Sequence, residues 1–101
     1  MPAVSKFGDL AATGHLCTAV IGVEATQFSV IANGISVLRL GDPTFPHTIK
    51  CGPICCGHAG PPVVNIGSST VFAKGIPIAR IGDSTDFGAM IQGSDNVFAG
   101  G

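Results

Sequence analysis

Apolar and polar positions alternate in short segments along the chain, and glycine or proline interrupts each segment. β-Branched and aromatic residues flank an Asn-Gly pair in residues 30–40 and a Lys-Gly pair in residues 71–81. This pattern is typical of β-hairpins that are closed by two-residue turns. Pro77 has no N–H to donate, so we expect it at a sheet edge or at a position that does not pair. The pattern predicts short strands and tight turns.

Glycine and proline also limit where a helix could form. The chain has 101 residues, of which 15 are Gly and 7 are Pro, and the longest stretch without either covers residues 23–33. Helices of ordinary length do not fit between such interruptions. The second half of this window repeats a segment that we assign to a strand. We therefore predict an all-β fold.

The chain contains an internal repeat. Residues 30–42 align without gaps on residues 71–83, with identity at seven of thirteen positions. The front of this unit recurs in residues 93–101 and its back half in residues 6–9. These similarities indicate three units, of which the third is split across the two termini. If each unit is a hairpin, the N-terminal strand must pair with the C-terminal strand, which closes the chain into a pseudo-threefold ring.

A Gly-Asp pair ends each unit. Glycine adopts backbone conformations that other residues avoid, and aspartate caps a turn through its side chain. Three carboxylates could also suggest catalysis, but their repetition at turns favours a structural role. The three pairs are Gly8-Asp9, Gly41-Asp42 and Gly82-Asp83.

Composition and charge exclude several classes of protein. The chain has 5 Lys and Arg against 6 Asp and Glu, with 11% charged and 46% hydrophobic residues. This composition does not fit a disordered chain or a basic surface for nucleic acid. We find neither a long apolar run nor a signal peptide, and expect a soluble protein made in the cytoplasm. A single small domain has little hydrophobic core, so we expect an additional cross-link that stabilises the fold.

Cysteine and histidine are the candidates for that cross-link. All 4 Cys and all 3 His lie within residues 15–58, in the connections 10–25 and 43–66 that follow the first two Gly-Asp pairs. An isolated histidine would be a hydrogen-bonded loop residue, but three together with cysteine favour a four-coordinate Zn²⁺ site. The spacing is not that of a zinc finger or ribbon. The third connection, residues 84–92, contributes Phe87 near the comparable position.

Two other uses of the cysteines are less favoured. Adjacent Cys55 and Cys56 rarely bridge each other, and a chain without a signal peptide folds in a reducing compartment, so we do not expect disulfides. A catalytic Cys-His dyad would need a cleft, an oxyanion element and a third orienting residue, none of which can be identified. We predict that the protein is not an enzyme.

Together, these motifs resemble the PAAR-repeat family. Residues 67–83 read Gly-Ser-x-x-Val-Phe-x-x-Gly followed by Pro-x-Ala-Arg-x-Gly-Asp, and the loops carry Gly14-His15, His47, Cys51-Gly52 and His58. The resemblance covers residues 6–101. It implies a small conical β-structure that caps the trimeric β-helical spike of type VI secretion systems and contractile phage tails, with one tip per trimer.

The resemblance also implies a metal site. Family members bind one structural zinc near the apex through three histidines and one cysteine. Carried over by motif, the ligands are His15, His47, Cys51 and His58, with Cys55 and Cys56 as alternatives for the thiolate. This chain departs from the family pattern at Phe87, where the family often has cysteine, at Ser36, where proline is usual, and at residues 26–29, where Gly-Ser is expected.

We expect a structural, membrane-piercing tip formed by a single domain over residues 1–101, with no effector extension. Its exposed strand edges and apolar residues would then form the interface with the spike. The expected partners are the trimeric spike, transiently the target membrane, and candidate effector proteins, but no nucleic acid. The resemblance further implies delivery into a target cell, secretion, or a place in a phage virion.

Two alternative functions are an adaptor that recruits effector cargo to the spike and a zinc-dependent hydrolase. A hydrolase needs an open coordination position for water, whereas a structural site is closed by four protein ligands. Three histidines and several cysteines within reach favour the closed site.

Overall fold

The computed structural model describes residues 2–14, 17–51, 53–57, 62–86 and 88–100. Within these ranges the chain has no helix, so none that could span a bilayer, and it forms ten short strands in two-stranded antiparallel sheets. The prediction of an all-β fold is confirmed. The strand pairs are β1 (Leu10–Ala12) with β2 (Val20–Gly22), β3 (Ile31–Ala32) with β4 (Ile35–Ser36), β5 (Thr48–Cys51) with β6 (Ile54–Gly57), β7 (Phe72–Ala73) with β8 (Ile76–Pro77), and β9 (Ser84–Thr85) with β10 (Gly88–Ala89).

The turns of the two repeated hairpins are as the sequence predicts. Asn33 and Gly34 have φ of 55° and 78° between β3 and β4, and Lys74 and Gly75 have 51° and 82° between β7 and β8. Positive φ at both central residues matches the right-handed twist of the flanking strands. Pro77 lies opposite Phe72 in the second pair from the turn. Hydrogen-bonded and non-hydrogen-bonded pairs alternate in a hairpin, so its missing N–H costs no bond to β7.

Three segments of the chain meet in a closed ring of hydrogen bonds. The N–H of Ser5 donates to Ala79 O (3.0 Å), that of Ala79 to Leu38 O (2.9 Å), and that of Leu38 to Ser5 O (2.9 Å). All three residues are fully buried and occupy the same position relative to their Gly-Asp pairs. The backbone around this ring therefore runs three times through the same geometry.

The two terminal segments pair with each other. Val4 donates its N–H to Val97 O at 2.9 Å and Ala99 donates to Pro2 O at 3.0 Å. The bond from Val4 corresponds to the bonds from Val37 to Val30 O and from Ile78 to Val71 O in the two continuous hairpins.

The aspartate of each Gly-Asp pair is a turn cap. Its Oδ2 accepts the backbone N–H of the residue three positions earlier, at 2.7 Å for Asp9, 2.7 Å for Asp42 and 2.8 Å for Asp83. The preceding glycines have φ of 84°, 91° and 91°. Each carboxylate thus caps its own turn by a hydrogen bond, which confirms the structural role predicted for these residues.

The core is small and divided into two clusters within an elongated molecule that measures 42 × 22 × 22 Å. One cluster lies among the hairpins β3–β4 and β7–β8 and the paired termini, and consists of Val4, Ala32, Val37, Ala73, Ile78 and Ala99. The other lies between the Gly-Asp turns and the connections, and consists of Ala11, Val23, Ala25, Leu38, Val64, Ala79 and Met90. Many of these side chains are small, so apolar burial alone gives this fold little stability.

Candidate functional site

The three connections lie side by side, and we call the region that they form the apical end. Val23 bridges to Thr44, Val64 to Thr85, and Ala11 to Met90, so each connection contacts the other two. In the third of these contacts the backbone of Gly88 lies against the carbonyl of Ala12 so closely that a side chain would not fit. The described parts of these connections form the hairpins β1–β2, β5–β6 and β9–β10.

The cysteines at the apical end are paired as disulfides. Cys17 is bonded to Cys55 and Cys51 to Cys56, each with Cα atoms 6.0 Å apart. Our expectation that the chain forms no disulfides is wrong. Adjacent residues of a strand point to opposite sides, so Cys55 and Cys56 on β6 reach different partners. One bond joins the first connection to the second, and the other closes the hairpin β5–β6.

His47 joins the second connection to the third. Its Nε2 lies 2.9 Å from Oδ2 of Asp86, and the two side chains are only 1% and 3% exposed. Its Nδ1 lies 3.0 Å from the carbonyl oxygen of Phe45 and 3.4 Å from the hydroxyl of Thr44. Asp86 occupies the turn between β9 and β10 with φ of 55°. The imidazole is thus fixed in orientation between two oxygen acceptors.

Asp86 is the residue of this site that our reading of the sequence missed. We considered only Phe87 in the third connection, and Phe87 lies outside the described residues. Aligning the units on their Gly-Asp pairs places Asp86 where the second unit has Phe45. The sequence signal that could have identified Asp86 is this carboxylate at a position where the second unit has an apolar residue.

Two of the four predicted zinc ligands, His15 and His58, lie outside the described residues. Among the residues that the structure describes, no group of three or more His, Cys, Asp or Glu is arranged to hold a metal ion. Strand β5 separates Cys51 from Thr48 by three residues, or about 10 Å of extended chain, and Thr48 pairs with Gly57 across the hairpin. The sequence neighbours of His47 and His58 are therefore opposite each other, while Cys51 lies near the hairpin turn.

The described ligands differ in how well they suit zinc. Metal-binding histidines typically donate the N–H of one ring nitrogen to a carbonyl or carboxylate oxygen, which leaves the other nitrogen for the metal. The contact between Nδ1 of His47 and Phe45 O has this form, but the other nitrogen, Nε2, is already hydrogen-bonded to Asp86. Cys51 offers a thiolate only when its bond to Cys56 is reduced. By donor type, His47 suits zinc and Cys51 suits it in the reduced chain, but the structure places Cys51 at the far end of β5 from His47.

A second feature lies on the part of the molecule built by β3–β4, β7–β8 and the paired termini. Ile31, Phe72 and Phe98 occupy corresponding positions of the three repeated segments and are 55%, 52% and 47% exposed. The alanine that follows each of them is buried in the core. We call these three residues the apolar ring. The same kind of apolar side chain is thus presented to solvent at three equivalent places.

The fold defines a small all-β protein with a cross-linked apical end and a repeated apolar surface. The family model for the PAAR motif matches residues 12–93, and the chain belongs to this family. No curated protein matches the chain. Membership implies a spike-tip protein of contractile injection systems, and the structural role of that family suggests a protein that is not an enzyme.

Proposed function

We propose that this protein is the tip that caps and sharpens the trimeric β-helical spike of a contractile injection apparatus, one chain per trimer. The observation that carries the proposal is the apolar ring. A monomer with the same exposed side chain at three equivalent positions can make nearly the same contact with each chain of a threefold partner.

The chemistry of the ring suits a protein interface. Single exposed apolar residues scattered over a surface need no explanation, but large apolar side chains that are about half exposed at three equivalent positions suit an interaction site. Aromatic anchors such as Phe72 and Phe98 commonly carry much of the binding energy of an interface. Phe7, Leu40 and Ile81, each two residues before the aspartate of its Gly-Asp pair, form a second set of exposed apolar residues at equivalent positions.

The apical end supplies the other requirement of a tip, which is stability without a large core. The bond between Cys17 and Cys55 and the hydrogen bond between the hydroxyls of Thr18 and Thr48 (2.9 Å) tie the first connection to the second. His47 and Asp86 tie the second to the third. In the reduced chain we propose that His15, His47, Cys51 and His58 hold one structural zinc. Such an ion, when bound, contributes about 10–16 kcal/mol in zinc-finger peptides.

On this proposal the chain is made in the cytoplasm, assembles on its spike, and reaches the target cell with it. The target membrane is a transient contact. Effector proteins would be further partners of the assembled spike.

The apolar ring can be tested by placing a charge on it. We expect Phe72→Asp to weaken binding to a trimeric β-helical spike protein by at least about 30-fold, because a carboxylate would be desolvated where an aromatic anchor packs. Ile54→Asp is the matched control, since Ile54 is also exposed but lies on β6 at the apical end. Co-elution and titration of the purified proteins measure both. Unchanged binding by Phe72→Asp, or an equal loss in both variants, would contradict the proposed surface.

A further inference from the structure

We propose that a cavity beside the apolar ring binds a guanidinium group, and that an arginine side chain of the spike supplies this group. The proposal rests on the proposed function and adds one polar anchor to its apolar contacts. The cavity measures about 320 Å³ and lies between the turn of β3–β4 and the loop 93–96. Its lining consists of Lys6, Asn33, Gly93, Asp95 and Asn96. We call it the Lys6 cavity.

The repeat places this cavity at one of three equivalent junctions between units. At each junction, the turn of one unit contacts the loop that precedes the hairpin of another unit. The three contacts, each a hydrogen bond, join Asn33 to Asn96 (2.8 Å), Lys74 to Ser29 (3.3 Å), and Gly100 to Ser68. The Lys6 cavity lies at the first of these junctions.

Arginine occupies the other two junctions. Arg80 donates from Nη1 to the carbonyl oxygens of Ala99 and Gly100, at 3.5 and 3.0 Å. Arg39 donates from Nη1 to the carbonyl oxygen of Ala73, the residue equivalent to Ala99, at 3.4 Å. A guanidinium group therefore lies against the turn of the neighbouring unit at both places.

The third junction has lysine in place of arginine. Lys6 is three residues before Asp9, as each arginine is three residues before its aspartate. Among the described residues, the ammonium of Lys6 bonds only to Asp9, with Nζ 3.2 Å from Oδ2. Lysine is a compact point charge without the planar fork of arginine, and it makes no hydrogen bond to the turn at Asn33. The place that a guanidinium occupies at the other two junctions is therefore an open cavity here.

The charges around the cavity favour a cation. Lys6 and Asp9 compensate each other as an ion pair. Asp95 is exposed, and within the described part of the chain no hydrogen bond or ion pair holds its carboxylate. The cavity thus carries one uncompensated negative charge. Among cationic side chains, arginine pairs with a carboxylate through two parallel N–H···O bonds, which adds geometric specificity to the attraction.

Hydrogen bonds hold the wall of the cavity in place. Ser94 is buried, and its hydroxyl donates to Oδ1 of Asn33. The same hydroxyl oxygen accepts the backbone N–H groups of Asn96 and Val97, at 3.2 and 3.0 Å. Oδ1 of Asn33 has a second lone pair that can accept an N–H of a guanidinium. A wall that is ordered before binding lowers the entropic cost of binding.

The position of the cavity indicates the source of the guanidinium. Asn33 follows Ile31 by two residues and Asn96 precedes Phe98 by two, so the cavity lies beside two members of the apolar ring. A spike chain that covers the ring can reach the cavity, and arginine is enriched among the residues that carry the binding energy of interfaces. Because the chain's own arginines occupy the other two junctions, one of the three spike chains inserts an arginine.

The first test uses the full chain without the spike. Methylguanidinium chloride is titrated into ¹⁵N-labelled protein at constant ionic strength, and sodium acetate serves as the anionic counterpart. We expect methylguanidinium, but not acetate, to shift the amide resonances of Asn33, Asp95 and Asn96. Lys6→Arg should abolish the shifts, because its own guanidinium fills the cavity as arginine does at the two equivalent positions. No methylguanidinium shift in the wild-type chain, or an equal shift in Lys6→Arg, would overturn the site.

The second test measures binding to a trimeric β-helical spike protein by titration. We expect Lys6→Arg and Asp95→Asn each to weaken this binding by at least about 10-fold, since loss of one partner of a desolvated charge pair at an interface is costly. Glu24→Gln is the matched control, because it removes the same charge from the first connection, and it should bind as wild type does.

The outcomes separate this inference from the proposed function. If Phe72→Asp weakens spike binding while Lys6→Arg and Asp95→Asn bind as wild type does, the arginine contact is wrong and the proposed tip function stands. If the wild-type chain binds methylguanidinium but no trimeric spike protein, the cavity takes guanidinium from another source, and the spike arginine and the proposed function both fail.

Discussion

Replacing Asp83 by alanine is expected to lower the free energy of unfolding by about 3–5 kcal/mol, the cost of leaving a buried charge without its partner. Both carboxylate oxygens of Asp83 accept bonds from the Arg80 guanidinium, from Nε at 3.1 Å and Nη2 at 3.0 Å. The two side chains are only 8% and 6% exposed. The hydrogen bond to Asp83 raises the pKa of Arg80 above its ordinary value, against the opposing effect of burial. Arginine does not discharge near neutral pH, so the variant must bury an unpaired cation.

The repeat provides the control for this variant. Asp9 caps the same kind of turn, but its partner is Lys6, with Nζ at 3.2 Å, and the two side chains are 12% and 16% exposed. Asp9→Ala should therefore cost about 1–2 kcal/mol, the value of one capping bond and a partly exposed ion pair. Urea unfolding at pH 7 measures both variants. Equal losses would show that the cap, and not the buried cation, dominates at Asp83.

Replacing Cys17 by serine is expected to lower the free energy of unfolding by about 4 kcal/mol under oxidising conditions. The bond to Cys55 closes a loop with a sequence separation of 38 residues, and the entropy that a disulfide removes from the unfolded chain grows with loop length. Cys51→Ser breaks a loop of separation 5 and should cost about 2 kcal/mol. Both should be measured with a chelator present, so that metal does not contribute. A larger cost for Cys51→Ser than for Cys17→Ser would contradict this ranking.

Cys17→Ser should also change which parts of the molecule unfold locally. In Cys17→Ser the described amides of β1, β2, β5 and β6 should lose hydrogen-exchange protection, because the link between the first two connections is gone. The amides of Ser5, Leu38 and Ala79 should stay protected, since their ring of hydrogen bonds is buried and distant in the chain from the cysteines. Uniform loss of protection would mean that the apical end and the hydrogen-bonded ring of Ser5, Leu38 and Ala79 unfold as one unit.

The hairpins and Gly-Asp turns could be predicted because local chemistry determines them. Positive φ at Asn33-Gly34 and at Lys74-Gly75 follows from the turn type, and each aspartate caps through its own side chain. The ring of Ser5, Leu38 and Ala79 could not be predicted, because its bonds are between backbone atoms and the three side chains have nothing in common. Only the positions relative to the Gly-Asp pairs relate these residues.

The apical site was predicted less completely. The residue types and their clustering indicated metal ligands, and His47 has the surroundings of one. Asp86 was missed because its contact with His47 joins residues 39 positions apart and depends on how two connections pack. The disulfides were missed because the alternation of side chains along β6 becomes informative only once the strand and its register are known. The ligand roles of His15, His47, Cys51 and His58 stay predictions.

The central claim is that one chain caps a threefold spike, and the stoichiometry of the complex tests it most directly. Native mass spectrometry of the protein bound to a trimeric β-helical spike protein gives the number of each chain. We predict one chain of this protein for three spike chains, because Ile31, Phe72 and Phe98 present three equivalent contacts within one monomer. A complex with three copies of this protein per spike trimer would contradict the claim.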